Sequence, residues 1–377
     1  MSAIDDVIRG DGQAARSLVR DPDAALDIID RVTADGPAAW SLGPLLVEIG
    51  ARAPVQGLAG LWRQTGCFEG RIIASRTLVR HGSPEAVSVL AEGLQDERRR
   101  LAITALGDTG LESARPLLED ELRRSCVALG VDPVAPDLTV IGAEPDPSEI
   151  ELLPILLASL YKVGATGAPF SSLFSLLRFR SEDPYVAADS VREQAARALQ
   201  VVVIDGMIGS LVEALTEESS SEVVDNGVEA LAYLGSPRVI QQFLAWSRGD
   251  GALAAAASYR LRDLLGPLEG PDPGADELLE NWTRLSVAAR DDVCYRGGLP
   301  LLPDSLVQAV ADHNRRVAVL RELAVITGRW LGYDELFGEL GWYDYSASVR
   351  QWSEGVHDGF LEGGLYKYGR QRRMPKR

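Results

Sequence analysis

Cysteine is scarce in this chain, and its cysteines are not arranged in pairs. Three occur among 377 residues, Cys67, Cys126 and Cys294, far apart and without a Cys-x-x-Cys spacing. An odd number of widely spaced cysteines argues against the disulfide framework of a small secreted domain. We therefore expect a reduced, cytoplasmic protein in which each cysteine packs as a small apolar side chain.

Histidine is equally scarce, with only His81, His313 and His357 in the chain. None has a His or Glu partner four residues away within one predicted helix, which is the spacing that a helical metal site requires. Phosphate-binding loops, nucleophile elbows and dinucleotide fingerprints are also missing from the sequence. We expect no metal, no cofactor and no catalytic residue, and the sequence favours a binding protein over an enzyme.

Long hydrophobic runs and an excess of basic charge are lacking as well. No apolar stretch approaches the ~20 residues that span a bilayer, and Met1–Asp6 lacks the basic-then-apolar order of a secretion signal. The formal charge is −17 and the pI about 4.7. Such a balance disfavours nucleic acid and anionic membranes and favours a basic protein partner, although solubility alone also explains it.

The chain is rich in one short pattern, a small residue followed four positions later by Leu. The copies are Ala74/Leu78, Ala102/Leu106, Ala195/Leu199, Gly227/Leu231 and Ala257/Leu261. Positions i and i+4 share one face of a helix, so the small residue permits close helix approach and the Leu fills the layer between repeats. Gly-containing turns such as Gly82-Ser83-Pro84 and Gly235-Ser236-Pro237 follow several copies and precede a second apolar helix. Repeats of roughly 30 residues with two helices each predict an all-α, right-handed α-solenoid.

Two segments carry a family resemblance. Asp189–Leu199 resembles the first helix of a bacterial HEAT repeat of the phycobilin-lyase-like type, and Glu222–Pro237 is similar to the same unit running into its turn. Val224 stands where that family usually has Arg, and Gly227 where it usually has Ala. The resemblance covers about 67–265 and implies a fold of HEAT-like hairpins. It also implies a protein-binding scaffold, since a few such proteins are enzymes but most serve as scaffolds.

Composition divides the chain into three predicted parts. Residues 1–66 read as degenerate N-terminal helical repeats, and 67–265 as the repeat array, interrupted by a proline-rich loop at 128–149. A Gly/Pro-rich linker at 266–274 precedes 276–377, which is predicted to be an aromatic-rich helical cap or a small appended domain. Within it we expect one long helix over 303–326, another over 347–359, and a basic final stretch from Lys367 that is short enough to be disordered.

Two sets of residues are candidates for partner binding. Aligning the second helices of three repeats places Glu92, Asp120 and Glu213 in one column, which Gln241 and Gln242 could extend. Acidic clusters steer basic partners, although an exposed Glu on a helix is commonplace. The C-terminal aromatic residues form the second set, and they serve equally well as an interface or as the core of a cap. This set comprises Trp330, Tyr333, Trp342, Tyr343 and Trp352.

Three functional hypotheses remain open at this point. The favoured one is a non-catalytic scaffold that holds a protein partner on the concave, second-helix side, and a narrower version makes it an immunity protein for a basic toxin. The second is a HEAT-like glycosylase or lyase, disfavoured because Arg98-Arg99-Arg100 is the only internal basic run. The third is a structural oligomer built through the aromatic C-terminus. The oligomeric state does not follow from the sequence.

Overall fold

The computed structural model describes most of the chain from its amino terminus to residue 328 and shorter pieces beyond. The described residues are 2–21, 23–34, 38–64, 68–133, 146–166, 168–180, 187–266, 274–288, 295–310, 312, 316–328, 333–334, 338–339, 365–368 and 370–373. The candidate aromatic residues Trp330, Trp342, Tyr343 and Trp352 lie outside them. So do the predicted helix 347–359, most of the 128–149 loop and most of the 266–274 linker.

The described part consists mainly of α-helices joined by short turns. In chain order they are α1 Ala3–Ile8, α2 Gly12–Arg20, α3 Ala24–Ala34, α4 Ala39–Ile49, α5 Val55–Arg63, α6 Phe68–His81, α7 Pro84–Glu92, α8 Arg99–Asp108, α9 Arg115–Ala128, α10 Pro147–Lys162, α11 Ser172–Leu177, α12 Ala188–Val202, α13 Ile208–Thr216, α14 Ser221–Ala232, α15 Pro237–Trp246, α16 Ala252–Leu265, α17 Ala275–Ala288, α18 Pro303–Ala309 and α19 Arg316–Thr327. The predicted all-α fold is confirmed. Among these helices, none combines the length and apolar character needed to cross a membrane.

The chain divides into two compact units. Unit 1 contains Met1–Glu121, Ser159–Thr166 and Gly332–Ser346, and unit 2 contains Leu122–Ala158, Gly167–Leu331 and Ala347–Arg377. These boundaries differ from the breaks at 66 and 276 that composition suggests. The helices pack in sequential pairs within each unit, so that every pair has a first and a second helix.

In unit 1 the first helices α4, α6 and α8 pack in succession, and the second helices α5 and α7 pack beside them. In unit 2 the first helices α12, α14 and α16 form the corresponding series, with α13 and α15 between them in the chain. All five small/Leu pairs are buried, as the repeat pattern predicts. At Gly227 an added Cβ would lie 2.4 Å from Leu215 Cδ2, so the Leu of the preceding helix occupies the space that Ala would need.

The turn between a first and a second helix follows directly from its three residues. Gly82 has φ +64° and Gly235 has φ +55°, the left-handed conformation in which glycine ends a helix without strain. The next serine caps the second helix: Ser83 Oγ accepts from the Ala86 N–H at 3.2 Å, and Ser236 Oγ accepts from the Val239 N–H at 3.4 Å. Proline then occupies the first helical position, where no amide hydrogen is needed.

The C-terminal region departs from a purely helical cap, because its described residues also form three short antiparallel hairpins. They are formed by β1 Tyr295–Arg296 with β2 Leu299–Pro300, β3 Tyr333–Asp334 with β4 Gly338–Glu339, and β5 Leu365–Lys367 with β6 Arg370–Arg373. The sequence left open whether the basic final stretch is ordered, and the structure places part of it in the pairing of β5 with β6, as far as Arg373. The prediction of one helix over 303–326 was wrong, since α18 ends at Ala309 and α19 begins at Arg316.

Candidate functional site: the second-helix face

The predicted acidic column falls into two sets, one in each unit. Glu92 is the last residue of α7 and Asp120 lies in α9; both belong to unit 1 and are exposed. In unit 2, Glu213 on α13 and Gln241 on α15 are exposed, and Gln242 is half-buried. Four of the five residues are therefore exposed, their role in partner binding stays a prediction, and each set is described within its own unit.

Glu92 is engaged by an arginine from the preceding second helix. Arg63, the last residue of α5, donates from Nε to Glu92 Oε2 at 2.7 Å and from Nη2 to Glu92 Oε1 at 2.6 Å. The hydrogen bonds from Arg63 lower the pKa of the Glu92 carboxyl and raise the pKa of the guanidinium. At the beginnings of the same two helices, Gln56 Nε2 on α5 donates to Glu85 Oε1 on α7 at 2.8 Å. Two polar contacts thus join α5 to α7 along their exposed faces.

Glu213 shows the same relationship in unit 2. Arg178, which follows the last residue of α11, places Nη2 3.5 Å from Glu213 Oε2 on α13. Both side chains remain about half exposed or more, at 47% and 68%. Two acids of the column, Glu92 and Glu213, therefore connect successive second helices through their contacts with arginine. They contribute less negative potential to the surface than the bare sequence suggests.

A buried acid next to the column was missed by the sequence reading. Glu121, one residue after Asp120, is 1% exposed and forms an ion pair with Arg99 Nε on α8. Arg99 belongs to the only internal basic run, and this contact supports a structural role for it. No periodic signal pairs the two residues, because the contact depends on how α9 approaches α8.

An open groove of about 620 Å³ lies between the beginnings of α5 and α7 in unit 1. Its walls are mostly apolar, with an imidazole and a carboxylate among them. The lining residues are Ala53, Pro54, Val55, Gln56, His81, Ser83, Pro84 and Glu85. His81 ends α6, and Glu85 lies in the first turn of α7. The two are four residues apart on opposite sides of the Gly82 turn, so helical periodicity does not bring them together, whereas the turn places both on the groove.

The aromatic candidates add no described side chain to the site. Tyr333 lies in β3, where its backbone pairs with Glu339, and its side chain falls outside the described atoms. In the part of the chain that the structure describes, no three His, Cys, Asp or Glu side chains are grouped closely enough to hold a metal ion. The groove and the exposed faces of the second helices are the surfaces on which a functional argument can rest.

Comparison with known proteins adds little to this description. No family model matches the chain, and no curated protein matches it. Among solved structures, the crystal structure of an engineered protein is 18% identical in sequence, covers 86% of this chain and 88% of its own, and has a TM-score of 0.30. That score is too low to carry an argument, so the fold rests on the helices described above.

Proposed function

We propose that this protein is a non-catalytic scaffold that holds a basic protein partner on its second-helix face. The observation that carries the proposal is the groove between α5 and α7. Its apolar walls, Pro54, Val55 and Pro84, suit the aliphatic stem of a lysine or arginine, and the carboxylate of Glu85 lies on its lining. The proposed occupant is therefore an exposed basic segment of another protein.

Charge on α7 favours a basic over an acidic occupant. The helix carries Glu85 and Glu92 and no basic residue along Pro84–Glu92. Arg63 offsets Glu92, while within the described part of the chain Glu85 accepts a hydrogen bond only from the neutral amide of Gln56. The whole chain adds a net charge of −17, which would accelerate encounter with a cationic protein.

The openness of the groove supports recognition more than chemistry. A bound side chain would stay in contact with water there, whereas catalysis by weak acids and hydrogen-bond donors gains most in a desolvated site. The small/Leu pairs and the Gly-Ser-Pro turns support assigning the repeats to the HEAT type. This resemblance implies a scaffold role, which agrees with an open groove that has mostly apolar walls and a carboxylate on its lining.

A defined set of peptides tests the proposal without knowledge of the natural partner. Lysine- and arginine-rich peptides and acidic peptides of equal length are titrated against the full chain at low and high salt. We expect the basic peptides to bind and their affinity to fall as salt rises, since exposed charge pairs are screened. The double variant Glu85→Lys/Glu92→Lys should lose this binding.

A matched variant separates the groove from overall charge. The control Glu217→Lys/Asp250→Lys changes two exposed acids of unit 2, and so alters the net charge by the same amount, and it should retain most of the binding. Equal loss of binding in the control and in Glu85→Lys/Glu92→Lys would mean that net charge alone explains the effect. Preference for acidic peptides, or full binding by Glu85→Lys/Glu92→Lys, would refute the assignment of the groove.

A further inference from the structure

The carboxyl ends of three first helices in unit 2 receive hydrogen bonds from the C-terminal part of the chain. The helices α12, α14 and α16 pack in succession, and each is followed by a second helix that returns the chain, so they run in the same direction. Their last carbonyls therefore lie along one edge. We call this the carboxyl edge and define it by the carbonyl oxygens of Gln200, Val203, Ala232, Asp263 and Leu264.

Lys367 makes the most buried of these contacts. Its side chain is 1% exposed, and Nζ lies 2.6 Å from Gln200 O and 3.3 Å from Val203 O at the end of α12. Burial of an ammonium group is costly unless strong acceptors replace its water. Carbonyls at a helix carboxyl terminus supply such acceptors, because they lack intrahelical donors and carry the negative end of the helix dipole.

The backbone around Lys367 is held as well. The Tyr368 N–H donates to Val325 O in α19 at 2.6 Å, and Tyr366 is 5% exposed. Segment 365–368 is thus anchored to α12 by a side chain and to α19 by its main chain. Sequence spacing gives no hint of this contact, because Lys367 and Gln200 are 167 residues apart.

The next two helices of the edge are met by the β1–β2 hairpin. Arg296 Nη2 donates to Ala232 O, the last residue of α14, at 3.2 Å. The N–H groups of Gly297 and Gly298 donate to Asp263 O at 2.7 Å and Leu264 O at 2.9 Å in the last turn of α16. Three successive helix ends therefore accept hydrogen bonds from C-terminal residues, two of them from cationic side chains.

We propose that the α12 end of the carboxyl edge, at Gln200 O and Val203 O, is a binding site for extended basic protein segments and that Leu365–Arg373 is its occupant within the chain. The α14 and α16 ends of the edge are held by the β1–β2 hairpin. The end of α12 would accept a lysine, and a lysine-bearing segment of another protein would displace the hairpin of β5 and β6. This surface lies in unit 2 and shares no residue with the groove of unit 1, so either proposal can fail alone.

The structure of Leu365–Arg373 explains why a segment of another protein can displace it. β5 and β6 form a two-stranded sheet with an irregular register between Leu365 and Tyr366. An isolated two-stranded hairpin is marginally stable in water, so its order depends on docking. The docking is favoured by covalent linkage, which gives the segment an effective concentration on the order of millimolar. A competing segment that makes the same contacts must overcome that advantage.

A peptide with the sequence of Leu365–Arg373 tests the site in the intact protein. The fluorescent peptide is titrated against the wild-type chain and against the full-length Lys367→Met variant, which lacks the ammonium of its own occupant. We expect the variant to bind the peptide roughly tenfold more tightly than wild type does, because the internal competitor is weakened. A peptide in which the same lysine is methionine should bind neither protein.

Two further measurements keep the result decisive. Thermal unfolding by circular dichroism checks that Lys367→Met folds, and Lys367→Arg, which retains a cationic donor, should behave as wild type does in the titration. Arg248→Met removes an exposed cation in the same unit as a control and should leave peptide binding unchanged. Hydrogen exchange at the end of α12 should quicken in Lys367→Met and slow again when the peptide is added.

Several outcomes would overturn the proposal. One is equal affinity of wild type and Lys367→Met for the peptide, and another is equal binding of the peptide that lacks the lysine. Hydrogen exchange at the end of α12 that is indifferent to both the substitution and the peptide would have the same effect. None of these results bears on the groove between α5 and α7.

Discussion

Arg192 Nε lies 3.1 Å from Glu218 Oε2, and both side chains are almost fully buried, at 6% and 2% exposure. Arg192 Nη2 also lies 2.5 Å from Asp189 Oδ1, and Nη1 donates to Phe179 O at 3.3 Å. Within unit 2 this arginine therefore joins α12 to the end of α13 and to the residues after α11.

Replacement of Arg192 by Met should destabilise unit 2 strongly. The change leaves the Glu218 carboxylate buried without its principal cation, which costs about 3–5 kcal/mol. Arg197→Met is the matched control, since the Arg197–Glu193 pair is on the same helix with the arginine side chain 55% exposed. The control should cost less than about 1 kcal/mol. Urea unfolding of both variants measures the difference, and similar losses would contradict the role of burial.

Glu48 should make the stability of unit 1 depend on pH near neutrality. It is 6% exposed in α4, its Oε2 has no hydrogen-bond partner among the described residues, and burial raises the pKa of its carboxyl from 4.5 to about 7. The nearby charges of Arg80 and Arg52 act in the opposite direction and offset part of the rise. The folded protein therefore holds this proton over a range in which the unfolded chain releases it.

The direction of the pH effect follows from linkage. The stabilisation linked to this proton is fully present below pH 4.5 and is lost as the pH rises towards about 7. Glu48→Gln should lack this dependence. The free energy of unfolding of the variant, compared with that of wild type, should therefore rise by on the order of 1–3 kcal/mol from acid to mildly alkaline pH. Urea midpoints across the pH range measure the gain. A difference between Glu48→Gln and wild type that stays constant across the pH range would refute the assignment.

Two glycine-to-alanine substitutions should have opposite effects. An added Cβ at Gly107 in α8 would lie 2.5 Å from Ser159 Cβ and 2.7 Å from Ser159 Cα, where backbone would have to move. We expect Gly107→Ala to cost about 1–3 kcal/mol. Gly60 in α5 has nothing within 4 Å of the added atom, so Gly60→Ala should stabilise by about 0.5–1 kcal/mol. Thermal unfolding of the two variants tests the predicted contrast in sign.

The Arg63–Glu92 pair should be measurable by titration although it contributes little to stability. Arg63→Met should raise the pKa of Glu92 towards its ordinary value, which carboxyl NMR can follow. The lowered pKa of Glu92 stabilises the folded protein at pH values above the pKa that this carboxyl has in the unfolded chain. This stabilisation is lost as the pH falls through the pKa of Glu92 in the folded protein. Because both side chains are exposed, we expect the substitution to cost less than about 1 kcal/mol, and still less at high salt. An unchanged Glu92 pKa in Arg63→Met would contradict the contact.

The candidate site was only partly predictable from the sequence. Helical periodicity correctly places Glu92 and Glu213 on exposed faces, but it is silent about Arg63 and Arg178, which approach from the previous repeat. The groove was also missed, since His81 and Glu85 belong to different helices and meet only through the geometry of the turn. Contacts within a helix follow from spacing, whereas contacts between helices depend on how each pair stacks.

The sequence by itself determined the helical hairpins of this protein. Small/Leu pairs such as Ala195/Leu199 and turns such as Gly235-Ser236-Pro237 act over a few residues, through backbone conformation and one helix face, so they can be recognised without coordinates. Only the tertiary structure decided that Lys367 meets the end of α12 and that the basic stretch at Leu365–Arg373 pairs as a hairpin. The physical reason is that the buried ammonium of Lys367, and the hairpin that carries it, are stabilised by the carbonyl oxygens of Gln200 and Val203, more than a hundred residues away. The sequence around Lys367 cannot indicate which distant carbonyls it will meet.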